Sequence, residues 1–224
     1  MRFAIGIIFS FLIVAVAMPL QATAKPHIKT KYTYYTISGK SARSLYQQMI
    51  RRGPHIGRER AFATASMKLD PSFKLSGKKS CRFSRFRMNM EFEIRLPKVR
   101  NEKSLPKQTR RQWRAFYKFV RRHELRHRAI WISCIKKLER QVRRLRPKNC
   151  NSLEGQFTRA LDKAAKACNR RQDAFDRAEQ KRLARHPLIV AAERVPRKKR
   201  SAKKSRNTFS TGFSLNGNRG TANR

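Results

Sequence analysis

Acidic residues are scarce in this chain. Only 13 of its 224 residues are Asp or Glu, against 56 Lys and Arg, so the formal net charge is +43. Such a chain adheres to anionic surfaces, including lipid headgroups, lipopolysaccharide and nucleic acid. The positive charge is spread along the sequence instead of lying in one helix or arm. This favours nonspecific adhesion over recognition of one cognate partner.

The sequence also has no recognisable nucleic-acid-binding module, so we expect no specific nucleic acid partner. After the first 24 residues it has no apolar run long enough to cross a membrane. Cysteine is limited to four residues, and in an exported chain four cysteines predict two disulfides instead of reactive thiols.

Residues 1–24 are typical of a secretory signal peptide. Arg2 is followed by an apolar run from Phe3 to Leu20, and Ala22-Thr23-Ala24 has the small-x-small pattern of a cleavage site. The run is nearly long enough to remain as a membrane anchor, but the cleavage pattern favours removal. We expect an exported protein, periplasmic or extracellular, that begins near Lys25.

Strict alternation of apolar and polar residues over 85–96 predicts a strand with one buried face. Other candidate elements are strands at 32–37 and 61–69 and a short helix at 41–52. We expect Asp70-Pro71 to turn the chain and Pro97 to end the long strand.

Apolar residues then recur every three or four positions over 109–146 and again over 152–185. This spacing predicts two long amphipathic helices, and the short break between them makes the helices antiparallel neighbours. The predicted fold class is α+β: a small antiparallel sheet with one short helix, followed by a long antiparallel helical hairpin.

The first of the two long helices carries the motif HExxH as His123-Glu124-Leu125-Arg126-His127. On a helix, histidines at i and i+4 project from one face and can bind one Zn²⁺ ion. The glutamate between them can act as general base on a zinc-bound water. Two histidines hydrogen-bonded in a core are the alternative, but the complete motif in an exported chain favours zinc.

The break near residue 150 sets the register of the hairpin, so residues whose numbers sum to about 302 should face each other. This places Cys134 opposite Cys168 and predicts that disulfide, which leaves Cys81 to pair with Cys150. Sequence alone does not fix connectivity, and the other pairings remain open.

The same register places His123 opposite Glu179, which becomes the predicted third zinc ligand. Asp176 is the second choice, because it is turned about 80° from the stripe that carries Cys168. An alternative for Glu179 is an ion pair with one of the arginines near the end of its helix.

Residues 32–182 resemble an uncharacterised bacterial family of predicted secreted zinc-dependent proteases, which are zincin-like. The resemblance is carried, in order, by Tyr35, Ser38-Gly39, Gly53-Pro54, Cys81, Leu96-Pro97, Trp113, His123-Glu124, His127, Cys150 and Phe175-Asp176. The chain departs from the family pattern at several places, and a tryptophan common in the second strand is missing, with Met67 in that vicinity. Arg126 replaces a glycine, Glu179 replaces a threonine, and Lys181 replaces a histidine. If that histidine binds metal in the family, its role here is lost or has moved to Glu179.

These observations divide the chain into a signal peptide (1–24), a zincin-like metalloprotease domain (25–190) and a disordered basic and polar tail (191–224). We expect an enzyme: a secreted or periplasmic zinc-dependent hydrolase acting on a protein or peptide substrate, with Glu124 as the general base. The alternative is a catalytically silent cationic protein of the cell envelope that binds anionic surfaces.

Overall fold

The computed structural model describes residues 27–77 and 81–194. The predicted signal peptide lies outside the described residues, as does the predicted tail from residue 195 onward. Folded structure continues three residues past the domain boundary expected at 190, because a short helix reaches Glu193 and buries Ala192.

The described chain is α+β, which confirms the predicted fold class. The strands are β1 (Ile28–Ile37), β2 (His55–Ile56), β3 (Glu59–Arg60), β4 (Thr64–Ser76) and β5 (Arg82–Val99). The helices are α1 (Ala42–Arg52), α2 (Lys107–Val142), α3 (Cys150–Ala184) and α4 (Pro187–Glu193), with a 3-10 turn at Glu102–Ser104.

The main sheet has the order β1-β5-β4, with the long alternating strand β5 in the centre. β4 pairs with β5 in antiparallel fashion, as expected, but β1 pairs with β5 in parallel. The sheet is therefore mixed instead of purely antiparallel. Alternation in a sequence defines the buried face of a strand but not its direction, and parallel pairing depends on the long connection through α1.

The predicted turn at Asp70-Pro71 and the predicted strand end at Pro97 are both wrong, because the strands continue through these residues. Asp70 and Pro71 lie inside β4, and Pro97 lies inside β5 opposite Tyr35. β4 is an edge strand, and an edge tolerates a residue without a backbone N–H because no ladder hydrogen bond is lost on the open side.

The two long helices form the expected hairpin, joined by residues 143–149. Asn149 caps α3 by accepting a hydrogen bond from the backbone N–H of Ser152 at 2.8 Å. The structure contains the disulfide that the register favoured, Cys134–Cys168 between the helices, and the pairing that this left, Cys81–Cys150 between the start of β5 and the start of α3.

Buried apolar side chains form two clusters, and α2 contributes to both. One cluster includes Trp113 and Phe116 from the first half of α2, together with α1, β1 and α4. The other includes Trp131 and Leu138 from the second half, together with β4, β5 and α3. The HExxH motif lies on α2 between these clusters, so rigid packing on both sides positions it. Among the described residues, no helix is both long enough and apolar enough to cross a membrane.

Candidate metal centre

The two motif histidines are fully inside the fold. His123 and His127 are each about 1% exposed, and they lie on the face of α2 that contacts α3. Their Nε2 atoms are 2.8 Å apart. The i and i+4 spacing on one helix therefore brings two imidazole nitrogens to a single point, as the motif predicts.

Asp176 on α3 completes this group. Its Oδ1 atom lies 2.9 Å from Nε2 of His127 and 3.2 Å from Nε2 of His123. The three side chains together could hold a metal ion, because one ligand atom from each lies within 4.8 Å of the others. Imidazole nitrogen and carboxylate oxygen are both ligand types that proteins use to bind divalent metal ions.

Gln172, one turn before Asp176 on α3, determines which ring nitrogen of His127 carries the proton. Its side-chain NH₂ donates a hydrogen bond to the backbone oxygen of His127 at 3.2 Å, so its carbonyl oxygen faces the ring. That oxygen lies 2.6 Å from Nδ1 of His127 and must accept a hydrogen bond from it. In a neutral ring the lone pair is then on Nε2 and is directed at Asp176 and His123.

Lone pairs that converge at these distances repel each other unless a positive charge lies between them. In the metal-free protein a proton supplies that charge. Burial disfavours the charged form of His127, but hydrogen bonding to Asp176 and the nearby carboxylates outweigh burial and raise its pKa. Burial would raise the pKa of Asp176, but the two histidines lower it on balance. A divalent cation would replace the proton at the same place.

Burial lowers the pKa of His123, which keeps this ring neutral and available as a ligand. Phe175 covers both rings: it stacks on His123 with 4.8 Å between centroids and meets His127 edge-on at 5.1 Å. This contact holds the imidazoles in place and separates them from solvent.

Glu124, the predicted general base, points from α2 toward the sheet, where the backbone N–H of Ala65 on β4 donates a hydrogen bond to it. It is only 2% exposed. Burial raises its pKa to about 8 in the metal-free protein, although the charge of His127 lowers it. Glu124 therefore lies between the edge strand β4 and the His123–His127–Asp176 group.

Glu179, the predicted third ligand, lies beside the group but not in it. One of its carboxylate oxygens is 4.0 Å from Nδ1 of His123, the nitrogen that faces away from Asp176, and the other is 2.7 Å from Arg182. Glu179 therefore forms an ion pair with Arg182, which is the predicted alternative to metal binding by Glu179. Asp176, the second choice, is the carboxylate that meets both Nε2 atoms.

The raised pKa of Glu124 predicts how the stability of the metal-free protein depends on pH. A buried acid with a raised pKa contributes fully below its unfolded value of 4.5 and loses that contribution as pH rises to about 8. We therefore expect the thermal unfolding midpoint, measured in chelator, to fall by several degrees across this range, since each pKa unit corresponds to about 1.4 kcal/mol. Glu124→Gln, which cannot ionise, should fall less. An equal fall in both proteins would contradict the assignment.

Comparison with known sequences gives one family. The family described as "Bacterial protein of unknown function (DUF922)" matches residues 32–184, which includes the whole HExxH helix and Asp176. The chain belongs to this family. Neither the curated proteins nor the solved structures give any match. Membership of the DUF922 family agrees with the resemblance to an uncharacterised bacterial family, and it assigns no reaction to the site.

Proposed function

We propose that this DUF922 protein is an exported zinc-dependent hydrolase that cleaves protein or peptide substrates. The observation that carries the proposal is the convergence of His123, His127 and Asp176 on one point, with the His127 tautomer fixed by Gln172. Nitrogen and carboxylate ligands in a set of three favour zinc over magnesium or calcium, which prefer oxygen ligands alone.

Zinc bound to this group would supply a Lewis acid that polarises a substrate carbonyl and makes an attacking water more acidic. Glu124 is adjacent to His123 in the chain and is close enough to His127 and Asp176 for their charges to shift its pKa. A cation at the centre would lower that pKa and favour the carboxylate form. In that form Glu124 would be able to accept a proton from the attacking water and pass it to the leaving amine.

Two disulfides support the exported location, because disulfides persist in oxidising compartments such as the periplasm and the extracellular space. The predicted signal peptide is consistent with this location. The substrate must therefore also be available outside the cytoplasm, which is compatible with a peptidase of the cell envelope.

Metal counting tests the proposal directly. The protein is purified without chelator and analysed for metals, and its activity on a general protein substrate is measured before and after chelation. We expect about one zinc per chain and activity that is lost on chelation and restored by zinc. Wild-type protein that stays metal-free when zinc is supplied would rule the proposal out.

Burial of the site favours a second candidate, a catalytically silent cationic envelope protein. His123, Glu124, His127 and Asp176 are all at most 5% exposed, and Phe175 lies over the histidine rings. A closed metal site of this kind is typical of structural zinc, whereas catalysis needs access for a substrate. Bound zinc without any hydrolysis of peptides or proteins would support this candidate.

A further inference from the structure

Two tyrosines on the edge strand β1 are exposed to solvent, and packing in the apolar core does not account for them. Tyr32 is 37% exposed and Tyr34 is 50% exposed, while the next residue of the strand, Tyr35, is buried. Neither tyrosine belongs to the two buried apolar clusters.

The other exposed large apolar residues of the described chain are Phe73 and Leu75 on β4. Phe73 is accounted for by an aromatic cluster, because its ring lies 4.8 Å from that of Phe83 and 6.0 Å from that of Phe157. Leu75 is 38% exposed and offers a residue of comparable exposure on a different part of the surface.

The two tyrosines join residues of α2 to form one surface. The Tyr117 side chain is hydrogen-bonded to that of Tyr34, and the Arg121 guanidinium lies 5.8 Å from the centre of the Tyr32 ring. We call Tyr32, Tyr34, Tyr117 and Arg121 the tyrosine patch. It lies at one edge of the sheet, and its α2 residues Tyr117 and Arg121 precede His123 by six and two positions without belonging to the metal centre.

The charge on the stretch of α2 that carries the tyrosine patch has one sign. From Lys107 to Arg122, α2 carries seven basic residues and no acidic residue. Arg114, Lys118 and Arg122 are exposed on the turns that adjoin the patch. Arg114 is paired with Glu102 of the preceding 3-10 turn, and no acidic residue lies three or four positions from Lys118 or Arg122 on α2.

We propose that the tyrosine patch docks this protein on an anionic lipid surface. Tyrosine has an apolar ring and a polar hydroxyl, so it is suited to the headgroup region, where one end of the side chain is dry and the other is wet. The adjoining arginine and lysine side chains are attracted to anionic headgroups. The positive charge of the whole chain attracts it to anionic lipid. The tyrosine rings of the patch add an apolar contact, which salt does not screen.

Salt dependence separates this contact from nonspecific charge. Residues 25–224, which omit the predicted signal peptide, are titrated with phosphatidylcholine vesicles that contain or lack phosphatidylglycerol. Raising NaCl from about 0.1 M to about 1 M shortens the screening length from about 10 Å to about 3 Å. We expect affinity for the anionic vesicles to fall and then level off. Tyr34→Ser should reduce the remaining affinity about fivefold, and Leu75→Ser should leave it unchanged.

Fluorescence gives a test that does not depend on loss of binding. The native tryptophans Trp113 and Trp131 are 2% and 1% exposed, so their emission should not respond to vesicles. A Tyr34→Trp variant should shift its emission to shorter wavelength on anionic vesicles and be quenched by brominated lipid, whereas Leu75→Trp should not.

Three results would overturn the proposal. Binding that disappears in high salt would show charge alone, and equal losses for Tyr34→Ser and Leu75→Ser would show that the patch is not the contact. A Tyr34→Trp signal that appears with a polysaccharide or a protein but not with vesicles would assign the patch to another partner. None of these outcomes depends on zinc or on hydrolysis.

Discussion

Replacing Asp176 by asparagine is expected to weaken zinc binding by more than about 100-fold. Among the residues that the structure describes, Asp176 is the only carboxylate that meets both Nε2 atoms, at 2.9 Å and 3.2 Å, and the substitution leaves a neutral amide of the same size. Substitution of a residue that only hydrogen-bonds to a metal ligand typically lowers metal affinity 10- to 100-fold, so loss of a ligand itself should lower it further. Competition with a chromophoric chelator measures the affinity.

Glu179→Gln is the matched control, because this carboxylate is equally buried on the same helix but lies 4.0 Å from the outer nitrogen of His123. We expect its effect on zinc affinity to be no more than about tenfold. The opposite result, with zinc retained by Asp176→Asn and lost by Glu179→Gln, would make Glu179 the third ligand, as the helical register first suggested.

Replacing Glu124 by glutamine is expected to abolish measurable hydrolysis while leaving zinc binding intact. Glutamine keeps the shape of the side chain but cannot accept a proton, and loss of a general base typically costs about 10²- to 10⁴-fold in rate. Glu124 is not a member of the His123–His127–Asp176 group, so zinc content should stay near one per chain. Turnover and metal content are measured on the same preparation.

Glu139→Gln controls for the loss of a buried carboxylate on the same helix. Glu139 is 8% exposed and forms a 2.7 Å ion pair with Arg143, about three helical turns beyond the motif. This variant should keep both zinc and turnover. Full turnover in Glu124→Gln would remove Glu124 from the mechanism, even if the zinc site is real.

The third carboxylate shows where helical register was too coarse. A single sum for facing residues holds at the disulfide, where 134 and 168 add to 302, and at the shorter histidine contact of Asp176, where 127 and 176 add to 303. It does not say which of the two acids reaches the Nε2 atoms of both histidines. The buried residues of α3 repeat at Cys168, Gln172, Asp176 and Glu179, so both acids lie on the inward stripe. Which one reaches the nitrogens depends on how the two helices cross, and a one-dimensional register does not contain that angle.

Gln172 was not identified from the sequence at all. A glutamine in a basic amphipathic helix looks like a solvent-facing residue, yet it is fully buried and makes two contacts with His127. Its position four residues before Asp176 and four after Cys168 was a usable signal, because that spacing places it on the inward face of α3.

The sequence by itself determined the elements and the candidate chemistry. Periods of two and of three to four residues specified β5, α2 and α3, and HExxH specified that two histidines share one face of α2. These features are local, since each depends only on side-chain spacing along one element. Tertiary structure alone decided the parallel pairing of β1, the convergence of Asp176 and Gln172 on the histidines, and the joining of Tyr32 and Tyr34 to α2. Each of these joins residues distant in sequence, and the packing of whole elements determines which side chains meet.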